Sequence, residues 1–359
     1  MKSPEGATQT APARRAVIFG FGMSGAKLHT PLLQAAGIAV VGAVASERRS
    51  AAAESAHVPL VSAEAALNLE ADIAVIAVPD VAHEEQTLAA INSGFPWIVV
   101  EKPVAVSSAA ARRMQAAADA AGSVLIPFHN RRLDADYRSL CTALESGPID
   151  DLSRVESSFV TPSGPAGADW RSRPHEGIDG KLAGIGTHLV DQMIHLLGPV
   201  SAVYAEIQSL GSKHGPNDDA FLSLKHASGH RSHIRLTRFP DGPRFLATGR
   251  EWAISVSGQD PQQAQLIQGL TPSHPTWGID PTLTVTRTEN GQTSTEAGQR
   301  GDWVAFYQTL ARSSPAPVVE MADAIHGLDV MEAALWSSRE AKVIRVEAFD
   351  QTSMTMSSI

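Results

Sequence analysis

A single cysteine, Cys141, is all that 359 residues carry, so no internal disulfide can form, and no metal-type Cys/His spacing surrounds it. It is expected to act as a small buried apolar side chain. No run of lysines and arginines occurs and the formal net charge is −9, which argues against nucleic acid and anionic membrane as partners. No apolar stretch approaches the roughly 18–20 residues that cross a bilayer. Residues 1–13 mix Ser, Pro, Thr and Ala without the apolar core of a signal peptide and are expected to be a disordered start. These absences predict a cytoplasmic protein whose partner is a small molecule. What is present, 43% hydrophobic and 19% charged residues, is an ordinary globular composition, and the length predicts two domains.

The first third alternates strand and helix. Apolar runs at Ala16–Phe19, Ala39–Ala45, Ile73–Val78, Trp97–Val100 and Val124–Ile126 read as strands. Between them Gly25–Ala36, Glu47–Ala56, Glu84–Ser93 and Ser107–Ala121 read as helices, the last with Ser107 or Ser108 as cap and Gly122 as stop. Strands separated by such helices imply right-handed crossovers and a parallel Rossmann-type α/β sheet. After a helix over Leu133–Ser146 the pattern changes. Arg154–Val160, Ser201–Gln208, Ala220–His226, Arg231–Thr237, Ala253–Ser257 and Leu283–Thr288 follow one another as strands, interrupted by one helix at His188–Leu197. Consecutive strands predict a mostly antiparallel sheet and an α+β second domain. Asp302–Ala311 and Ala322–Ser338 close the chain as helices, with Val343–Val346 as a last strand. Thr161–Gly167 and Gln259–Asp280, rich in Pro and Gly, read as loops over a site or an interface.

The turn Gly20-Phe21-Gly22-Met23-Ser24-Gly25 follows a strand and opens a helix, the context in which Gly-x-Gly-x-x-Gly binds a dinucleotide. Its glycines allow a tight turn and close approach of backbone to pyrophosphate, whose charge the helix amino end favours. An NAD site usually carries an acidic residue about 20 residues further on. Here the second strand ends in Ser46-Glu47-Arg48-Arg49. Ser46 with Arg48 and Arg49 suits a 2′-phosphate, so NADP(H) is expected ahead of NAD(H), with Glu47 as the NAD-type alternative. Pro79, which fixes the turn after the third long strand, and His83 beyond it are candidate contacts on the nicotinamide side.

Glu101-Lys102-Pro103 closes the strand Trp97–Val100. Ligands of open α/β sheets bind beyond the carboxyl ends of the strands. Glu101 and Lys102, the latter stiffened by Pro103, are therefore set against the cofactor. Further on, Gly184-Ile185-Gly186-Thr187-His188-Leu189-Val190-Asp191 leads into an apolar helix on which His188 and Asp191 share a face. A histidine can accept a hydroxyl proton and a lysine can hold the hydroxyl, which together with nicotinamide suffice for hydride transfer at a carbinol carbon. Other histidines, at 175, 195, 226, 230 and 233, show no metal spacing and read as structural or surface groups.

With these three motifs in this order, the chain from Arg14 to Val346 resembles the Gfo/Idh/MocA family of oxidoreductases. Phe128-His129-Asn130-Arg131-Arg132-Leu133-Asp134, Asp169-Trp170-Arg171, Gly258-Gln259-Asp260-Pro261-Gln262 and Trp277-Gly278 look like its subgroup of NADP-dependent scyllo-inositol dehydrogenases. The resemblance implies a Rossmann domain over 14–128. It also implies a substrate and oligomerisation domain over 129–350, whose large open sheet forms a homodimer or homotetramer. By the same resemblance Lys102 orients the substrate hydroxyl, His188 accepts the proton and Asp191 is a substrate or orienting contact. Asn130, Arg132, Trp170, Arg171, Thr187 and His188 would line a polyol or keto-substrate pocket. One departure stands out: the family commonly has an aspartate four residues before the histidine, where this chain has Gly184. Asp179 or Asp191 substitutes, or the substrate differs, or catalysis is weakened. The implied activity is NADP(H)-dependent hydride transfer at a secondary hydroxyl or ketone of a cyclitol or sugar-like molecule. The alternatives are a reductase of a keto-sugar or imine and a non-catalytic NADP-binding regulator.

Overall fold

Short apolar runs bounded by glycine or proline build the first sheet. β1 (Arg15–Phe19), β2 (Ala39–Val44), β3 (Ile73–Ile76), β4 (Trp97–Val100) and β5 (Val124–Pro127) are all parallel, in the order β2-β1-β3-β4-β5. Ala16 to Phe19 and the whole of β3 are buried, as strands covered on both faces must be. The chain steps outward from β1 in both directions, so a crevice opens beyond the carboxyl ends of β1 and β3. This computed structural model describes residues 13–45, 50–147, 151–160, 178–210, 216–238, 242–312 and 315–346. Ser46, Arg48, Arg49, Trp170, Arg171 and the loop 161–167 lie outside the described residues, as does all but the last residue of the expected leading segment.

The helices around this sheet are α1 (Thr30–Ala35), α2 (Ser50–Ser55), α3 (Ala63–Leu67), α4 (His83–Asn92) and α5 (Ser108–Ala121). At α5 the Ser107 hydroxyl accepts from the Ala110 amide at 3.2 Å, and Gly122 at φ +73° ends the helix in the left-handed conformation. The sequence predicts a regular helix from Gly25. Instead Ser24–His29 forms a wide π-helical turn before α1, a distortion frequent at functional sites.

The second sheet has nine strands. In chain order they are β6 (Arg154–Val160), β7 (Val200–Gln208), β8 (Asp219–His226), β9 (Arg231–Thr237), β10 (Phe245–Thr248), β11 (Trp252–Ser257), β12 (Thr284–Glu289), β13 (Gln292–Ala297) and β14 (Ile344–Arg345). Their spatial order is β13-β12-β11-β10-β6-β9-β8-β7-β14, antiparallel throughout except for the pair β6–β9. Two of these strands have no counterpart in the sequence reading. β10 is only four residues long, and β13 is an exposed edge with no apolar alternation. The signal for β13 was the turn Asn290-Gly291, where φ is +49° and +76°, a hairpin signature.

Helices α6 (Ala135–Glu145), α7 (Thr187–Leu197), α8 (Gln262–Ile267), α9 (Val304–Ala311) and α10 (Met321–Glu340) complete the fold. Two of them tie the sheets together. Trp303, Phe306 and Tyr307, at and in α9, join the core of the first sheet with Leu32, Leu33 and Phe128. α10 lies against β7 and α7 and reaches α5, where Arg112 forks onto Asp329 at 3.0 and 2.7 Å and Glu332 accepts from Ser108. Among the described residues no helix is long and apolar enough to cross a membrane.

Candidate active site

The glycine turn separates into two tasks. A Cβ on Gly20, which sits at φ +100°, would lie 2.4 Å from the Ala77 carbonyl oxygen, and one on Gly25 would lie 2.2 Å from the Gly20 carbonyl oxygen. Both glycines are required by the chain's own packing. A Cβ on Gly22 would meet nothing within 4 Å, so this bare backbone faces open space, as a pyrophosphate cradle requires. The amides of Gly20 and Phe21 donate to Val44 at 3.1 and 3.2 Å, fixing the turn to the end of β2. Phe21 is buried in the core, whereas Met23 remains 36% exposed at the strand ends. Gly22→Ala is therefore expected to keep its melting temperature within a degree or two and to lose about tenfold or more in NADPH affinity, by fluorescence titration. Gly25→Ala is expected to destabilise the fold itself, and equal thermal shifts in the two variants would refute the division.

Glu101 binds the turn to the end of β4. Its carboxylate accepts from the Ser24 hydroxyl, from His29 Nε2 at 3.1 Å and from the Lys102 amide at 3.1 Å. Burial pushes this carboxyl up. The His29 hydrogen bond and charge, Lys102 and Ser24 outweigh that and hold it down at about 2. His29 Nδ1 in turn meets the Tyr307 hydroxyl at 2.6 Å. The sequence assigns no site role to His29 or Tyr307, whose separation of 278 residues leaves no local signal of their pairing.

From the same strand end Lys102 Nζ donates to the Gly184 carbonyl oxygen at 2.5 Å, four residues before His188. Lys102 at the end of β4 thus reaches the segment that leads to His188 in α7, and its charge helps to lower the His188 pKa. His188 is 4% exposed. Burial first, then the charges of Lys102, Arg131 and His129, push its pKa well below the ordinary histidine value, so the ring is neutral near pH 7. His129 stands edge-on to it with ring centres 5.5 Å apart. Burial also lowers the His129 pKa, opposed by Asp191. The segment before His188, Leu182–Gly186, is a second π-helical turn.

The comparisons with known proteins bear on this arrangement. Residues 14–129 match the Gfo/Idh/MocA oxidoreductase family with an NAD-binding Rossmann fold, and residues 137–260 match the Gfo/Idh/MocA C-terminal domain. The chain belongs to this family. It is 27% identical over 347 residues to scyllo-inositol 2-dehydrogenase (NADP(+)) IolW of Bacillus subtilis, covering 92% of this chain and 95% of that one. It is 30% identical to 1,5-anhydro-D-fructose reductase of Ensifer adhaerens over 188 residues, 51% of this chain and 54% of the other. The solved structure of yvaA from Bacillus subtilis superposes with a TM-score of 0.86 at 26% identity, covering 94% of this chain and 99% of that one.

Within this Gfo/Idh/MocA oxidoreductase, several residues expected at the ligand are turned to other work. Arg132 and Asp191 neutralise one another: Nε donates to Asp191 Oδ2 at 2.9 Å and a terminal nitrogen to Oδ1 at 2.7 Å. The same guanidinium also takes Asp323 at 2.8 Å. Both side chains are almost wholly buried. Arg132 and Asp191 thus form a buried ion pair, with Arg132 Nε and one terminal nitrogen committed to carboxylates. His83 is likewise held by the chain itself. It is 1% exposed, with Nδ1 on the Pro103 carbonyl at 2.8 Å and Nε2 on the Val78 carbonyl at 3.0 Å, so it ties β3 to the loop after Lys102.

The two carboxylates that could replace the missing aspartate each have a described partner of their own. Asp179 is held by the Asn217 amide, and Asp191 by Arg132. The Gly184 carbonyl accepts from the Lys102 ammonium, and a Cβ at Gly184 would meet nothing within 4 Å. Pro79 is exposed at the end of β3, followed by Val81 at 68% exposure. Asn130 and Thr187 are buried beside His129 and His188 in sequence. Cys141 is half-buried rather than buried, and burial pushes its thiol up to about 11, so it stays protonated. No group of three or more His, Cys, Asp or Glu among the described residues could hold a metal ion. A cavity of about 430 Å³ lined by Arg138, Trp277 and Arg300 contains none of these site residues.

Proposed function

We propose that this oxidoreductase moves a hydride between NADP(H) and a secondary hydroxyl or ketone of a cyclitol or sugar-like molecule. The observation that carries the reading is the contact of Lys102 with the segment leading to His188, beside a glycine turn whose open backbone suits a dinucleotide. Gly20, Gly22, Ser24, Gly25 and Glu101 would hold the cofactor side, with the exposed apolar surfaces of Met23 and Val81 available to the rings. A bound nicotinamide supplies the hydride acceptor or donor. In the oxidation direction Lys102 Nζ holds the substrate oxygen, the hydroxyl proton goes to neutral His188, and the carbinol becomes a carbonyl. NADP is favoured over NAD by Ser46, Arg48 and Arg49 and by the cofactor named for IolW. The outer face of the nine-stranded sheet carries half-buried Phe221, Ser223 and His233. This reading assigns it to a homodimer or homotetramer, which light scattering would show as two or four times the chain mass.

The test is a panel of inositols, sugars and keto-sugars followed at the nicotinamide absorbance with NADP and NAD in parallel. Turnover of at least one member is expected, with kcat/KM for NADP about tenfold or more above NAD. Absence of hydride transfer across the panel would overturn the reading. The pH profile carries the sign of the His188 shift: a base with a depressed pKa stays competent as pH falls and fails only below that depressed value. Oxidation is therefore expected to be flat from pH 8 down past about 6.5. An acid limb centred at or above that value would remove His188 as the acceptor.

A further inference from the structure

Among the described residues His129 is the imidazole that stands against His188. Both rings are nearly enclosed, at 3% and 4% exposure, and in both Nδ1 is buried without a hydrogen-bond partner. Neither Nε2 is among the enclosed atoms that lack a partner, and neither makes a described hydrogen bond. The little exposed surface of each ring is thus available on the Nε2 side. The rings stand edge-on, 5.5 Å between centres. Behind His129, Asp191 Oδ2 lies 4.0 Å from Nδ1, fixed there by both Arg132 bonds. The charged groups bearing on His129 are Asp191, Arg132, Lys102 and Glu101. The nearby carboxylate favours the tautomer with hydrogen on Nδ1, which leaves the Nε2 lone pair as an acceptor.

We infer that His129 is a second hydroxyl-binding imidazole, so that the site takes substrates with an oxygen on the carbon next to the reacting one, a vicinal diol or α-hydroxyketone. Oxygens on adjacent ring carbons sit about 3 Å apart, close enough for each to hydrogen-bond a different one of these two rings. His188 takes the reacting hydroxyl and His129 accepts from its neighbour. Asp191 and Arg132 act as positioning residues behind His129 rather than at the substrate. This inference rests on the function proposed above and assigns a residue to the recognition of its substrate.

The experiment compares the best inositol of the panel with the analogue lacking one neighbouring hydroxyl, in wild type, His129→Leu and His129→Gln. NADPH titration of each variant reports the fold and the cofactor site separately. In wild type the deoxy analogue is expected to lose about 100-fold in kcat/KM, because a buried acceptor goes unpaired. In His129→Leu the inositol should fall about 100-fold while the analogue changes by less than about threefold, and His129→Gln, which keeps an acceptor, should recover about tenfold of that loss. Equal losses on both substrates, or no loss in wild type on removing the hydroxyl, would overturn the inference alone. A wild type inert toward every panel member would remove the proposed function along with it.

Discussion

Lys102→Met is expected to lower kcat by about a thousandfold or more while leaving the NADPH dissociation constant within about threefold of wild type. Methionine keeps the length and apolar stem of the side chain and removes only the ammonium. The loss therefore reports the bond that Nζ makes at the reacting oxygen, not packing. In the structure Lys102 Nζ donates to the Gly184 carbonyl oxygen at 2.5 Å, in the segment that leads to His188. A second readout separates catalysis from folding. The Lys102 charge is second only to burial in depressing His188, so its removal should move the acid limb of the oxidation profile upward. Wild-type kcat with an unmoved pH profile would show that Lys102 lies outside the chemistry. Lys102→Arg should not rescue, since a planar fork does not replace a point charge.

The second large effect is on stability. Arg244→Leu is expected to cost about 3–5 kcal/mol, read as a lower urea midpoint at unchanged slope. Arg244 is 4% exposed and donates to Asp136 at 3.0 Å, to the Ser157 hydroxyl at 2.7 Å and to the Gln192 side chain at 3.1 Å. Its guanidinium lies 3.9 Å from the centre of the Phe245 ring and 5.0 Å from that of Phe159. Leucine would leave Asp136, at 0% exposure, with the Tyr137 amide as its remaining described partner. A buried carboxylate without its cation is the expensive state, not the loss of an ion pair as such. Arg244→Met combined with Asp136→Asn should therefore recover part of the loss. A change under about 1 kcal/mol in the single variant would show that Asp136 does not need its partner.

The first sheet was readable because its information is local. Four-residue apolar runs, a serine cap and a left-handed glycine each act within one turn of chain, and β1, β3, β4, β5 and α5 lie at or within a few residues of the predicted positions. The glycine turn was readable for the same reason, although which of its glycines the chain's own packing requires emerged only from what a Cβ at each would meet. In the second sheet alternation revealed the long central strands. β10 and β13 escaped it, one through shortness and the other because an exposed edge buries no face and so carries no pattern.

The sequence by itself determined the five strands of the first sheet, the glycine turn, the lysine at a strand end and the histidine opening a buried helix, because each depends on neighbours a few bonds away. Only the tertiary structure decided how the charges pair. It turned Arg132 and Asp191, 59 residues apart, toward each other, drew His83 inward onto two carbonyls, and set His129 against His188. A buried charge must find its opposite wherever the fold brings it. Composition and spacing carry no record of partners that far away along the chain.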